Sequence, residues 1–169
     1  MGKVLENFAL CVAGVPSREG DNVIITMQNG SGKDIPFGAP VFLKTDGSAE
    51  PWDVDYPQEF TQFLGFAVRV ADKTPDAYVV SQNPSNTQQE AVWRPNETME
   101  ILVRGAITVP MAVSANRGSV VYVKKSDGKL VISPGATNST ILLENVRLRN
   151  SRDTATNVAE VVVNKRNIL

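Results

Sequence analysis

The stretch "GAPVFLKTDGS", from Gly38 to Ser48, returns in altered form as "GSVVYVKKSDGK", from Gly118 to Lys129. Both copies run glycine, two small or apolar residues, valine, an aromatic residue, an aliphatic residue and lysine, and both then reach an Asp-Gly pair. Such runs predict strands, and Asp-Gly predicts a tight hairpin turn because glycine accepts the positive φ that these turns need. The repeat therefore predicts two β-hairpins about 80 residues apart.

Strand signals continue through the rest of the chain. Runs rich in β-branched and aromatic residues lie at 22–27, 40–44, 64–70, 77–80, 106–113, 119–125, 129–132, 139–149 and 159–164. In "ETMEILVRG", Met99, Ile101 and Val103 alternate with polar residues, as in a half-buried strand. The apolar frame shifts near Glu144-Asn145, which predicts a β-bulge. No segment has a sustained helical period, so the sequence predicts an all-β fold.

The repeat also suggests how the chain is organised. We expect residues 1–19 to form an extended N-terminal arm and residues 20–169 to form a single barrel-like domain. Within that domain the predicted half-repeats are 38–105 and 118–164. A duplicated set of short antiparallel strands is expected to close into a small β-barrel or to pack as a sandwich, since closure removes exposed strand edges.

Composition excludes several classes of function. The 169 residues carry a net charge near −1, which argues against a general nucleic-acid binder. Histidine does not occur, so serine–histidine triads and histidine metal sites are excluded. The single cysteine, Cys11, permits no internal disulfide and is interpreted as a packed apolar residue. No apolar run approaches the roughly 20 residues that cross a membrane. We expect no membrane partner, no enzymatic activity, no cofactor and no metal.

The segment "NGSGKD", from Asn29 to Asp34, resembles a phosphate-binding loop at first sight. A phosphate loop requires G-x-x-x-x-G-K-[ST] followed by a helix. Here Met27 occupies the position of the first glycine, Asp34 replaces the hydroxyl residue, and a proline-broken run follows. The segment is therefore predicted to be a turn between strands.

Two charged groups are weaker candidates for a site. Asp53, Asp55 and Glu59 could hold a metal or act as acid and base, but a solvated acidic loop is the commoner arrangement. Five basic residues form the second group: Arg147, Arg149, Arg152, Lys124 and Lys125. They are interpreted either as the solvent face of a strand or as an electrostatic contact with an acidic partner.

Aromatic residues gather in two long polar stretches, 46–63 and 81–97, that lack strand character and are typical of binding loops. The residues concerned are Trp52, Tyr56, Phe60, Phe63 and, in the second stretch, Trp93, with Phe66 just beyond the first. Either the loops fold over the end of a barrel and fill it, or some of the rings anchor an interface.

The order of these motifs resembles one known family. "AGVPSREGDNVIITMQNGSGKDIPFGAPV" (13–41) is similar to the opening of the capsid cement, or decoration, proteins of tailed bacteriophages. "LGFAVRV" (64–70), "MEILVRGAITVPM" (99–111) and "RGSVVYVKKSDGKL" (117–130) resemble later parts of that family in the same order. The resemblance spans roughly residues 9 to 132, and the remaining tail is consistent with it.

The resemblance implies a non-enzymatic viral structural protein made in the host bacterial cytoplasm. Such a protein binds the outer surface of an icosahedral capsid in the virion and stabilises contacts between subunits of the major capsid protein. It also implies self-association, as a dimer or a trimer. The residues expected at the capsid or self-association interface are Phe8, Leu10, Val12, Pro16, Trp52, Tyr56, Phe60, Trp93, Arg147 and Arg149.

Two other functions remain open at this point. The first is a carbohydrate- or host-surface-binding β module in which Trp52, Tyr56 and Trp93 form a platform for sugar rings. The second is another structural subunit of a phage head or tail. Exposure of the tryptophan rings would favour the first, and the number of copies per particle would identify the second.

Overall fold

The structure is a computed structural model that describes residues 12–17, 21–52, 60–70, 92–111, 113–136, 139–153 and 157–166, without the side chains of residues 60, 61 and 151–153. Within these ranges the regular elements are β-strands and no helix occurs. The strands are Pro16–Ser17 (β1), Val23–Gln28 (β2), Ile35–Pro36 (β3), Pro40–Lys44 (β4), Ala49–Pro51 (β5), Phe60–Ala67 (β6), Val92–Trp93 (β7), Thr98–Pro110 (β8), Val120–Lys124 (β9), Leu130–Val131 (β10), Thr140–Asp153 (β11) and Val158–Val163 (β12). All pairings between these strands are antiparallel, and the predicted all-β class is confirmed.

The 13-residue strand β8 holds the two halves of the fold together. Its first half pairs with β2 and β6, and its second half pairs with β1 and β12. The change of partners falls at Gly105, whose φ is 118°. A Cβ at this position would lie 2.0 Å from Oδ1 of Asn22, so glycine is required for the backbone to pass here.

The order of the strands is symmetrical about β8 and β12. It reads β10-β9-β11-β12-β8-β6-β4-β5. In the first half β4 pairs with β5 and β6, and in the second half β9 pairs with β10 and β11. Both hairpins turn at the Asp-Gly pairs of the repeat, where Gly47 and Gly128 have φ of 85° and 69°. The arrangement matches what a duplication would produce, and the half-repeats themselves stay a prediction.

The sheet is not closed into a barrel. Among the described residues the pairing path ends at β5 and at β10, and these two strands do not pair with each other. One isolated bridge, between Asn29 and Ala49, joins the end of β2 to β5. Of the two predicted alternatives, barrel and sandwich, the sandwich fits.

Two buried clusters form the core of the described part of the chain. The larger one lies between the two halves of the sheet and takes side chains from both, including Phe66 and Leu102 of the first half and Leu148 and Val161 of the second. The smaller cluster lies on the other face of the first half, where a two-stranded ribbon of β3 and β7 covers it. In the described part of the chain, the outer face of the second half carries no corresponding third cluster.

The segment "NGSGKD" is a turn, as predicted, and it is organised around the buried side chain of Asn29. The amide nitrogen of Asn29 donates to the carbonyl oxygens of Lys33, Trp93 and Arg94 at 3.0, 3.2 and 3.1 Å. Its amide oxygen accepts from the backbone N–H and the hydroxyl of Ser31, at 3.0 and 2.6 Å. The hydrogen bonds of Asn29 therefore join the end of β2 to the end of β7. The short strand β3 follows the turn, where a phosphate loop would need a helix.

Several strand boundaries differ from the predicted ones. The predicted strand at 106–113 is the continuation of β8, and β6 begins at residue 60 instead of residue 64. The stretch 46–63 was predicted to lack strands, yet it contains β5 and the start of β6. The predicted bulge near Glu144-Asn145 is confirmed, because the β9–β11 register shifts between Leu142 and Arg147 and Asn145 has a φ of 62°.

Candidate functional site: an arginine cleft

A cleft of about 380 Å³ opens on the outer face of the second half of the sandwich. Three arginines line it, and we call it the arginine cleft. Its lining residues are Arg117, Gly118, Arg147, Leu148, Arg149, Val162 and Asn164. This lining brings three guanidinium groups together, beside the aliphatic side chain of Val162 on the neighbouring strand β12.

The sheet itself aims two of these arginines outwards. Leu148 of β11 is 1% exposed and packs into the larger core cluster, so its neighbour Arg147 points to the opposite, outer face of the sheet. Arg149 lies where the register of β11 against β12 shifts, between Leu148 and Asn150, and its side chain also lines the cleft. In the register of the sheet, Arg147 lies between Val120 of β9 and Val162 of β12.

The third arginine enters from a turn. Arg117 precedes Gly118, whose φ of 87° lets the chain turn into β9. The Gly118 N–H donates to the Leu148 carbonyl oxygen at 2.7 Å, and the Leu148 N–H donates to the Ser119 carbonyl oxygen at 2.9 Å. These bonds fix the turn against β11 and so place Arg117 beside the other two arginines.

Positive charge exceeds negative charge in the cleft. The Nε of Arg149 lies 3.9 Å from Oε2 of Glu160, a carboxylate that is 6% exposed and that also accepts from Asn150 Nδ2 at 2.5 Å and from the Ser17 hydroxyl. Arg147 donates to the carbonyl oxygen of Val146 at 3.0 Å. No carboxylate of the described ranges lies within 4 Å of the guanidinium groups of Arg117 or Arg147. The arrangement is suited to binding an anionic group.

The basic patch predicted from the sequence is only partly assembled. Arg147 and Arg149 lie together, but Lys124 is at the opposite end of β9, where its Nζ is 3.8 Å from Oδ2 of Asp127. Lys125 follows Lys124 in the hairpin turn, so neither lysine belongs to the cleft. The side chain of Arg152 is not among those that the structure describes. Sequence reasoning missed Arg117, which only the register of β9 against β11 would have revealed.

Trp52 connects the two halves of the protein. Its Nε1 donates to the Lys125 carbonyl oxygen at 3.1 Å, and its ring meets Phe42 edge-to-face with centroids 5.6 Å apart. The ring packs against the larger core cluster and is partly buried. The structure therefore gives Trp52 a packing role between the β4–β5 hairpin and the β9–β10 hairpin.

Trp93 lies in the core of the single chain, which does not fit its expected place at an interface. It is 4% exposed, its Nε1 donates to the Val68 carbonyl oxygen at 3.0 Å, and its ring meets Phe37 edge-to-face. A ring held in this way has no free face for a sugar or a partner. The structure supports the alternative interpretation of this residue, in which the aromatic side chain fills the fold.

Part of the predicted N-terminal arm is docked on the sheet. Pro16 belongs to β1 and pairs with Ile107 of β8. The Gly14 N–H donates to the Thr108 carbonyl oxygen at 2.7 Å, and the Thr108 hydroxyl donates to the Val12 carbonyl oxygen at 2.7 Å. The Val12 side chain is 42% exposed. Residues 12–17 are thus a fixed part of the body, with Val12 at its surface.

Some predicted residues fall outside the described residues. They are Phe8, Leu10, Tyr56, the side chain of Phe60, Cys11, Asp53, Asp55 and Glu59, together with the predicted strand at 77–80. Within the described ranges no group of three or more histidine, cysteine, aspartate or glutamate side chains is arranged to hold a metal ion. None of the helices that a membrane span would need is found among these residues either.

Comparisons with known proteins agree with the architecture. The sequence profile of a family described as "Structural cement protein (E217 gp24/Pam3 gp6)" matches residues 2–164. A chain of the solved structure "The capsid of Myoviridae Phage XM1" has a similar fold, with a TM-score of 0.68 at 18% sequence identity, over 96% of each chain. No curated protein sequence matches significantly.

Proposed function

This chain belongs to the phage structural cement protein family and has a structural role in the capsid, and from this premise we propose that it binds the outer surface of the icosahedral shell and stabilises contacts between major capsid protein subunits. The match of the family profile over residues 2–164 carries the proposal. In the same proposal the protein is non-enzymatic, is made in the host bacterial cytoplasm, and associates with itself as a dimer or trimer.

The geometry of the molecule is compatible with this function. A protein that joins neighbouring subunits gains strength from several weak contacts made at once, because each further contact becomes effectively intramolecular. The body offers a β-sandwich, the anchored residues 12–17 to which the first eleven residues are joined, and the arginine cleft on the outer face of its second half. We propose that Phe8 and Leu10 are the contact residues of the arm.

The proposal predicts that the purified protein binds empty shells that lack it and raises their melting temperature. A ligand that binds only the intact shell stabilises each site by about 2.7 kcal/mol when its free concentration is 100 times its Kd. Co-sedimentation measures the binding, and calorimetry of shells with and without the protein measures the stabilisation. A protein that stays in the supernatant at saturating concentrations would refute the proposal.

Truncation provides a test of the arm. Deleting residues 1–10 keeps Cys11, the Gly14 to Thr108 contacts and β1, so the melting temperature of the isolated protein is expected to change little. Shell binding is expected to weaken at least tenfold, the change produced by losing about 1.4 kcal/mol of contact free energy.

The matched control is deletion of residues 1–17, which also removes β1 and the bonds to Thr108. This longer deletion is expected to lower the melting temperature of the isolated protein as well. If the shorter variant binds shells as tightly as the full chain, the arm is not a capsid contact.

A further inference from the structure

The arginine cleft concentrates positive charge on a molecule that is nearly neutral as a whole. The chain has 17 lysines and arginines against 18 aspartates and glutamates. Yet the cleft contains three guanidinium groups, and in the described part of the chain the carboxylate of Glu160 lies beside one of them, that of Arg149. A local charge of this kind selects a partner at one place and does not attract anions to the surface in general.

The residue type narrows the class of ligand. The planar guanidinium group of arginine matches the geometry of a carboxylate, with which it forms two parallel hydrogen bonds. The cleft also exposes an aliphatic surface, since Val162 is half-buried and lies next to Arg147 in the register. A nucleic acid is disfavoured, because a polyanionic backbone requires an extended basic stripe, whereas Lys124 and Lys129 are held by Asp127 at the far end of β9.

The position of the cleft indicates a protein partner. In the first half of the sandwich the ribbon of β3 and β7 covers the outer face of the sheet, and the side chain of Trp93 in β7 packs inwards into the smaller core cluster. The topologically equivalent face of the second half carries the cleft. It therefore presents three arginines together on the outer face of the sheet.

We propose that the arginine cleft receives carboxylate side chains of the major capsid protein, with Arg117 and Arg147 as the residues that bind them. The inference rests on the proposed function, since it supplies the chemistry of one contact with the shell. Arg149 is not assigned a carboxylate of the partner, because its guanidinium group is already beside Glu160. The contact is electrostatic, so salt weakens it: the screening length falls from about 10 Å at 0.1 M to about 3 Å at 1 M salt.

Charge reversal tests the two binding arginines. The double variant R117E/R147E is expected to bind shells at least roughly tenfold more weakly than the wild type at low salt, with a smaller difference at high salt. The matched control is R94E, which reverses an exposed arginine on the first half, outside the cleft. R94E is expected to bind as the wild type does. If the double variant does not fold, R117Q/R147Q replaces it, and the expected direction is the same.

The two proposals fail in distinguishable ways. If the wild type does not bind shells, the proposed function fails and this inference fails with it. If the wild type binds shells and R117E/R147E binds equally well, only the assignment of the cleft is overturned.

A zero-length cross-link identifies the partner. The R117K variant keeps the positive charge and provides an amine that a carbodiimide couples to a carboxylate in direct contact. In complexes of this variant with shells, mass spectrometry is expected to find residue 117 joined to an aspartate or glutamate of the capsid protein, a link that the wild type cannot form there. A link from residue 117 to a second copy of this protein, or no link at all, would overturn the proposal.

Discussion

Replacing Gly65 with alanine is expected to lower the free energy of unfolding by about 3 kcal/mol, the upper end of what overpacking usually costs in a core. A Cβ on Gly65 would lie 2.1 Å from the carbonyl oxygen of Leu102 and 2.8 Å from its carbonyl carbon. Because these are backbone atoms of β8, no side-chain rotation relieves the clash. The strand β6 would have to move away from β8 at the point where Phe66 pairs with Leu102.

Thermal unfolding followed by circular dichroism measures this effect. The expected decrease in melting temperature is roughly 6–12 °C, at 2–4 °C per kcal/mol for a chain of this size. The control is Gly32→Ala, because a Cβ on Gly32 meets nothing within 4 Å and its φ is not in the left-handed region. Equal melting temperatures for the Gly65→Ala variant and the wild type would contradict the close approach of β6 to β8.

Replacing Asn29 with alanine is also expected to cost about 3 kcal/mol, because each buried polar group left without a partner costs roughly 1–3 kcal/mol. Asn29 is fully buried, and its amide group satisfies the carbonyl oxygens of Trp93 and Arg94 as well as the N–H of Ser31. Chemical denaturation measures the loss. The control is Asn116→Ala, since Asn116 is exposed. An equal decrease in the free energy of unfolding in both variants would show that the buried hydrogen bonds of Asn29 do not stabilise the fold.

The nearly isosteric Asn29→Asp variant separates hydrogen bonding from packing. Its carboxylate would face the three carbonyl oxygens to which the amide now donates, so burial and repulsion should raise the pKa of the introduced carboxyl group in the folded state. A group with a raised folded pKa contributes stability at low pH and loses it as the pH rises through that pKa. The variant is therefore expected to be less destabilised, relative to wild type, at pH 4 than at pH 7. A difference that does not depend on pH would contradict this assignment.

The hairpins and the bulge were predictable because their signals are local. Asp46-Gly47 and Asp127-Gly128 specify turns because each glycine adopts a positive φ, and Asn145 marks the bulge within a run whose apolar frame shifts. The first turn is further defined by Asp46, whose carboxylate accepts from the hydroxyl and the N–H of Ser48 at 2.7 and 2.8 Å. These hydrogen bonds lower the pKa of Asp46 below its usual value.

Features that depend on distant parts of the chain were not predictable in the same way. The sequence predicts separate strands in "ETMEILVRG" (97–105) and at 106–113, but the strand continues through Gly105, where the side chain of Asn22, more than 80 residues earlier, packs against the backbone. Trp93 stands in a polar stretch, and its burial depends on Phe37 and on the carbonyl oxygen of Val68. Arg117 joins the cleft only through the pairing of β9 with β11.

The continuous strand β8 has a mechanical consequence. Its 13 residues span roughly 40 Å at about 3.4 Å per residue, and the partners of its two ends belong to different halves of the sandwich. Tension applied to one half is therefore transmitted to the other through covalent bonds, in addition to the side-chain packing between the sheets. Separating the two halves by force would require several strands to detach from β8 at once. The protein is therefore expected to resist mechanical stretching as a single unit.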